Sequence, residues 1–396
     1  MKLLICSYDF GPVSSEGICT ERLVRALLEA GCDVTLATSK TAKVRFNHDN
    51  FRAVLLPSWP GRMHKLFTLL TRLLGGIQIH GPHYAWIYRV WGLKLQVRPD
   101  LVYGRALPFS SAVAARYLAK RFGIPLVTHF SDPVPDPWKA LDCPEVTRML
   151  PGARRVVQDS QAVTFPTLEG LVHQSRVLSV NLDSKGFVLN HIAPPSIYLT
   201  PHESRTSKIF GYFGAFYEMR TGLALLEGFA KYLRSYPDSR LVCVGTNPES
   251  VLPSATRMGI LEAVSVRARV DDIRPMMVEV DVLVSVDAAF GPAIFLPTKL
   301  VEYLVVNRPI LLISPSDSPG AALARRFERT VVHVANETPD AIADGMRRAG
   351  ELETCESAYV ERFVGMDEFK SCVVAKRFLD EMVKHEIAPQ PTASDS

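Results

Sequence analysis

Short apolar, β-branched runs recur along the chain, and segments with helical spacing separate them. In the first half the runs fall at 2–8, 33–38, 53–56, 101–104, 125–130, 162–165 and 187–190. In the second they fall at 208–213, 241–245, 264–270, 281–286, 309–313 and 331–334. Apolar residues three and four apart mark helices at 20–30 (TERLVRALLEA) and 109–122 (FSSAVAARYLAKRF). Each is followed by a glycine, Gly31 or Gly123, the residue that most easily takes the left-handed turn past a helix end. Similar patterns occupy 221–235, 297–306 and 319–328. Strands that are apolar throughout and alternate with helices belong to parallel sheets covered on both faces. The predicted fold is therefore α/β, with two Rossmann-like doubly wound domains facing a cleft at the carboxyl ends of their strands, where such folds bind ligands.

A chain of 396 residues is too long for one core. The stretch 194–207 (PPSIYLTPHESRTS), rich in proline, serine and charge, reads as a linker. The expected division is an N-terminal domain at 1–197, a C-terminal domain at 198–365, a last helix at 366–387 packing back on the N-terminal domain, and a disordered tail at 388–396. Hydrophobic residues at 47% and charged ones at 22% are ordinary for a globular protein, and a net charge of +4 makes no general case for nucleic acid. The seven cysteines lie far apart, with no Cys-x-x-Cys pair. That suits reduced thiols in a cytoplasmic protein better than a disulfide framework or a zinc ribbon. The opening MKLLICSYDF has too short an apolar run for a signal peptide, so a first strand is expected. No apolar run is long enough to span a bilayer.

Chemistry concentrates in two stretches of the second half. In 295–311 (FLPTKLVEYLVVNRPIL), a helix beginning near Pro297 or Thr298 would aim unsatisfied N–H groups and a positive dipole end at the cleft, a setting that favours phosphate. Lys299 adds a point charge. Glu302, three residues on, shares its helix face and can accept hydrogen bonds from vicinal hydroxyls. The same pair also suits a solvated Lys–Glu contact of about 0.2–0.5 kcal/mol. The second stretch, 212–222 (YFGAFYEMRTG), favours the anion-binding reading. Gly214 permits close backbone approach, and Arg220 precedes a helix, where the macrodipole disfavours a cation unless an anion joins it.

GAFYEMRTGLALLEGF and FLPTKLVEYLVVNRPIL resemble the donor-binding signatures of retaining GT-B glycosyltransferases of glycosyltransferase family 4, the group 1 transferases. The second fits the P-[ST]-K-x-x-E-Y-L variant of that motif. In the first half, SYDFGPVSSEG (7–17), FSDPVPDPW (130–138), VTFPT and VLNHIAPP resemble the family too, and the likeness is weakest across 40–98. The resemblance implies an N-terminal domain that binds acceptor and a C-terminal domain that binds a nucleotide-diphosphate sugar. It implies that Arg220 and Lys299 neutralise the donor diphosphate and that Glu302 holds the ribose, with Gly17, Gly214 and Thr298 beside the donor. Three positions depart from the pattern. Ile294 occupies the first place of the Glu-x7-Glu pair, Ala215 replaces a second arginine, and Ser131 stands where a histidine is common.

Sugar transfer develops negative charge on the leaving diphosphate, which fixed cations stabilise. With Arg220 and Lys299 present no divalent metal is required on this reading, no cofactor beyond the donor is expected, and the scattered histidines form no metal cluster. Asp132, just past a strand, is the candidate for orienting the acceptor or a sugar hydroxyl; an Asx-turn before Pro133 explains it almost equally well. Gly11 and Gly17 allow backbone to approach the acceptor and phosphates, or serve only their turn. His191 reads as a packed histidine.

From Phe51 to Pro99 there is no acidic residue, while Arg52, Arg62, Lys65, Arg72, Arg89, Lys94 and Arg98 alternate with Trp59, Trp86, Tyr88 and Trp91. Basic, aromatic amphipathic segments suit an anionic membrane surface, here through 61–98; an insertion packed on itself is the other reading. No RNA-binding motif accompanies it. The expected protein is a metal-independent retaining glycosyltransferase, cytoplasmic and peripheral to the inner membrane face. It acts on a glycan or lipid-linked acceptor in surface polysaccharide or glycolipid synthesis. An epimerase or hydrolase of nucleotide sugars, or an inactive scaffold of the same fold, is the alternative.

Overall fold

A strand forms at each expected position, and the strands build two sheets. The computed structural model describes all residues except 58–82, 84–85, 202–205, 218–219, 289–290, 336–337, 353–354 and 388–396, so the expected disordered tail and most of the basic segment lie outside the described residues. The chain divides into two units, Met1–Ile192 with Ser371–Ser396, and Ala193–Lys370.

The first unit contains β1 (Lys2–Cys6), α1 (Ser15–Glu29), β2 (Asp33–Ser39), β3 (Phe51–Leu56), α2 (Trp86–Trp91), β4 (Leu101–Arg105), α3 (Phe109–Phe122), β5 (Leu126–His129), α4 (Pro144–Asp159), β6 (Ala162–Phe165), α5 (Leu168–Leu178) and β7 (Gly186–Val188). Its seven strands lie in the order β3-β2-β1-β4-β5-β6-β7, paired in parallel throughout. The order reverses between β1 and β4, the switch point at whose carboxyl end doubly wound sheets open a crevice. Helix α1 starts earlier than its apolar spacing suggests. Ser14 caps it by accepting from the Gly17 amide at 3.0 Å, which brings Glu16 into the first turn. Helix α3 ends as read, at Gly123 with φ 61°. The helix Ser371–Lys384 belongs to this unit and buries Val374, Ala375, Phe378 and Met382 with Leu23, Val24 and Leu27 of α1; Phe378 meets Tyr103 edge-on at 5.3 Å.

The second unit contains β8 (Ile209–Phe213), α6 (Leu223–Leu233), β9 (Arg240–Val244), α7 (Leu252–Arg257), β10 (Val264–Arg267), α8 (Arg274–Met277), β11 (Val282–Val286), α9 (Thr298–Tyr303), β12 (Ile310–Ile313), α10 (Pro319–Arg326), β13 (Val331–Val334), α11 (Pro339–Glu351) and α12 (Glu356–Val364). Its parallel sheet runs β10-β9-β8-β11-β12-β13, the same winding with its switch point between β8 and β11. Both sheets are thus of the Rossmann type.

Helix α9 is shorter than the apolar pattern 297–306 suggests, and a buried arginine is the reason. Arg362 of α12 donates to the carbonyls of Leu304 (2.9 Å), Arg308 (3.3 Å), Tyr303 (3.4 Å) and Val306. Those carbonyls need no further turn of helix to be satisfied. Burial pushes Arg362 down to about 10, a cost that its fan of neutral acceptors offsets. Among the described residues no helix is long and apolar enough to cross a membrane.

Candidate functional site

The second unit's switch point is built around Gly214. The loop after β8 is fixed by backbone and side-chain bonds: the Gly214 amide donates to Val244 O at 2.9 Å, Thr246 Oγ1 donates to Gly214 O, and Tyr212 Oη donates to Ala215 O at 3.0 Å. The Tyr212 ring stacks on Phe216 at 4.2 Å. A Cβ at Gly214 would lie 2.7 Å from Lys299 Nζ, so any side chain there would displace the ammonium. The glycine therefore lets the ammonium of α9 settle against the end of β8. Tyr303, one turn along α9 and fully buried, accepts from the Phe213 amide at 3.2 Å and fastens the helix to that strand.

Arg220 comes to the same place from the other side of the loop. It donates to Asp287 Oδ1 at 2.9 Å, and that buried carboxylate, just past β11, is held by the Ala288 amide at 2.8 Å. The guanidinium lies 5.3 Å over the Tyr217 ring. Its Nε is buried and finds no acceptor among the described residues. A buried donor left unmade costs about 1–3 kcal/mol, so this N–H calls for a partner from outside the described residues. Burial opposes the charge of Arg220, but Tyr217 and Asp287 outweigh it and its pKa stays above the ordinary arginine value.

Lys299 behaves differently. Burial lowers it to about 8; Glu302 pulls it back up, and Arg220 and Arg269 push it further down. Lys299 and Glu302 thus share one helix face inside the unit, with Glu302 itself buried, which removes the reading of a solvated surface pair. Thr298 opens α9, whose first turn has no side-chain cap. With six residues, α9 has a weak dipole, so the positive charge of the site rests on side chains.

A pH dependence follows from Lys299. Its folded pKa lies below the unfolded value, so its stabilising contribution is complete above the unfolded value and is lost as pH falls through about 8. An anion bound beside it needs the protonated form. Affinity for an anion at this position should therefore weaken above pH 8, approaching tenfold per pH unit, with proton uptake on binding in calorimetry. Lys299→Arg, which stays charged, should flatten the profile; an unchanged break in that variant would assign the titration to another group.

At the first unit's switch point lies a buried ionic cluster that sequence reasoning passed over. Arg105, at the end of β4, donates through Nε to Glu16 of α1 and through Nη2 to Ser131 Oγ at 3.1 Å; Ser131 in turn donates to the second Glu16 oxygen at 2.6 Å. Arg105 and Glu16 are only 3% and 4% exposed. Burial works against the charge of Arg105, and Glu16 more than compensates, holding its pKa above the ordinary value. His129, at the end of β5, bonds Thr164 Oγ1 at 2.5 Å and is kept neutral, first by burial and then by Arg105 and His191. His191 Nδ1 lies 3.9 Å from Cys19 Sγ. Asp132 sits exposed on the bend beside Ser131. A Cβ at Gly17 would lie 2.4 Å from Gly11 O, and one at Gly11, with φ 77°, would lie 2.2 Å from Lys43 O. The close approach at both glycines is made by the chain itself.

Known proteins resemble the chain at two levels. Residues 17–170 match the family model of a glycosyl transferase 4-like domain. The whole chain superposes on solved structures that share little sequence with it. HepE from Anabaena, solved in complex with UDP and glucose, is 12% identical with a TM-score of 0.67, covering 97% of this chain and 99% of that one. Sucrose-phosphate synthase from Thermosynechococcus elongatus is 14% identical with a TM-score of 0.71, covering 98% and 100%. WaaG, a glycosyltransferase involved in lipopolysaccharide biosynthesis, is 13% identical with a TM-score of 0.60, covering 96% and 98%. The fold is the GT-B fold. A search of curated protein sequences finds no match.

Within that GT-B frame, Arg220, Lys299, Glu302 and Gly214 converge in one unit, and Asp132 and Gly17 lie in the other. Asp287, Arg269 and Tyr303 join the first set and Glu16 and Arg105 the second, none of them singled out by sequence. Asp287 carried one usable signal, an acid directly after the apolar run 281–286. Among the described residues no group of three or more His, Cys, Asp or Glu is placed to hold a metal ion.

Proposed function

We propose that the protein is a retaining glycosyltransferase that moves a sugar from a nucleotide-diphosphate donor to a glycan or lipid-linked acceptor, in the assembly of a cell-surface polysaccharide or glycolipid. One observation carries the reading: a desolvated ammonium, Lys299, and a guanidinium with an orphaned buried N–H, Arg220, meet at the switch point of a Rossmann sheet. Both groups are costly as they stand, and a diphosphate oxygen relieves both.

On this reading the glycosidic bond of the donor breaks with its electrons passing to the diphosphate, whose growing charge Lys299 and Arg220 stabilise, while the acceptor oxygen bonds the anomeric carbon on the face the diphosphate leaves and its hydroxyl proton passes to the departing diphosphate oxygen. Glu302 takes ribose hydroxyls, with Thr298 and Gly214 alongside. Asp287 keeps Arg220 aimed, and Asp132 orients the acceptor. Ile294, 6% exposed and apolar, supplies no carboxylate to the transferred sugar.

Thermal denaturation in the presence of UDP, GDP or ADP tests the donor site. At a hundredfold excess over Kd a nucleotide that binds the folded state adds about 2.7 kcal/mol, a shift of several degrees. UDP is the first choice because HepE was solved with it. No shift from any nucleoside diphosphate would remove the reading. With the base identified, product analysis separates transfer, which glycosylates the acceptor, from hydrolysis or epimerisation of the donor alone.

A further inference from the structure

We infer that one face of the first unit, formed by the end of α2, the segment after it and the exposed side of α3, is a docking surface for an anionic lipid membrane. Large apolar side chains stand in solvent there: Trp91 is 56% exposed, Val97 58% and Tyr117 38%. Trp91 and Tyr117 stack at 6.3 Å, so they form one continuous apolar patch across two helices. Isolated exposed apolar residues are ordinary, but a stacked indole and phenol ringed by cations are not.

The cations are fixed to the same patch. Arg121 donates to the carbonyls of Trp91 and of Leu93 (2.9 Å), and Arg98 donates to those of Phe122 (3.1 Å) and Gly123 (3.2 Å). These partners are neutral, so the bonds position both guanidinium groups and leave their charge in place. Lys94, between Trp91 and Val97 in sequence, stands exposed. Of the acids near in sequence or structure, Asp159 is taken by Arg116 and Lys120; Asp100, which accepts from the neutral Lys2 amide, keeps its charge and is outnumbered by Lys94, Arg98 and Arg121. Phe51 to Pro99 contributes none. Net positive charge around exposed Trp and Tyr matches the two features of a bilayer's cytoplasmic face, anionic headgroups and an interface that favours amphipathic rings. With no spanning helix among the described residues, the attachment proposed is adsorption to the surface. The inference is independent of the donor site: an inactive protein would dock as well, and an active one that ignored vesicles would still transfer sugar.

The experiment is flotation of the full-length protein with vesicles of phosphatidylcholine alone or with 30% phosphatidylserine, at 0.05 and 0.5 M salt. Expected is co-flotation with the anionic vesicles at low salt, loss at high salt as screening shortens to about 4 Å, and little binding to the neutral ones. Trp91→Ser with Lys94→Glu, both exposed and away from the candidate donor site, should lower partitioning at least tenfold while leaving the melting temperature within about a degree. Arg98→Gln, as a separate variant, should weaken it several-fold. Equal binding to neutral and anionic vesicles, wild-type partitioning by the double variant, or retention by single-stranded RNA with no vesicle binding would each overturn the assignment.

Discussion

Lys299→Ala is expected to lower kcat/KM for sugar transfer by about 10²–10³, the loss typical when one preorganised charge is removed from a developing anion. Arg220→Ala should cost a similar factor. In both, the fall should appear chiefly in kcat, because the charge on the diphosphate grows as the glycosidic bond breaks and the cations bind that state best. The double variant should lose less than the product of the two, since both groups serve one diphosphate. Stability should change less than activity. Replacing Lys299 removes an ammonium held charged against burial but also takes a cation from buried Glu302, so the two effects oppose and the melting temperature should move little. Activity within twofold of wild type in both single variants would dismiss the donor site; lost activity with a collapsed melting temperature would assign the residues to the fold.

The parallel-sheet fold was legible because it rests on patterns that tertiary context rarely overrides. Apolar runs buried on both faces, alternating with helices and closed by Gly31 and Gly123, leave few architectures open. The pairing of Gly214 with Lys299 was legible as chemistry but not as contact, since 85 residues separate them and only the parallel winding of β8 beside β11 brings them together. What the sequence concealed is of two kinds. Helix α9 looked longer because Leu304, Val305 and Val306 are apolar and buried whether or not they are helical; Arg362, 58 residues beyond Leu304, ends the helix there. Asp287, Glu16 and Arg105 concealed their roles because an isolated charge in a sequence reads as surface, and only the fold shows these three to be buried and paired.

That burial gives the second large expectation. Arg105→Met leaves Glu16 ionised in the interior with Ser131 as its remaining partner, and breaking a buried pair in this way costs about 3–5 kcal/mol. The cost should depend on pH with a definite sign. Without its cation a buried carboxylate is costlier to hold than the neutral acid, so the deficit should shrink in acid. Urea unfolding of Arg105→Met should therefore show the largest deficit at pH 8 and a smaller one at pH 5. Adding Glu16→Gln removes the stranded charge, so the double variant should recover most of the loss and lose the pH dependence. A double variant as unstable as the single one would mean that Arg105 acts through packing of its long side chain. Recovery of stability without recovery of turnover on an acceptor, with nucleotide binding intact, would place the cluster in acceptor handling, at the strand ends where Ser131 stands beside Asp132.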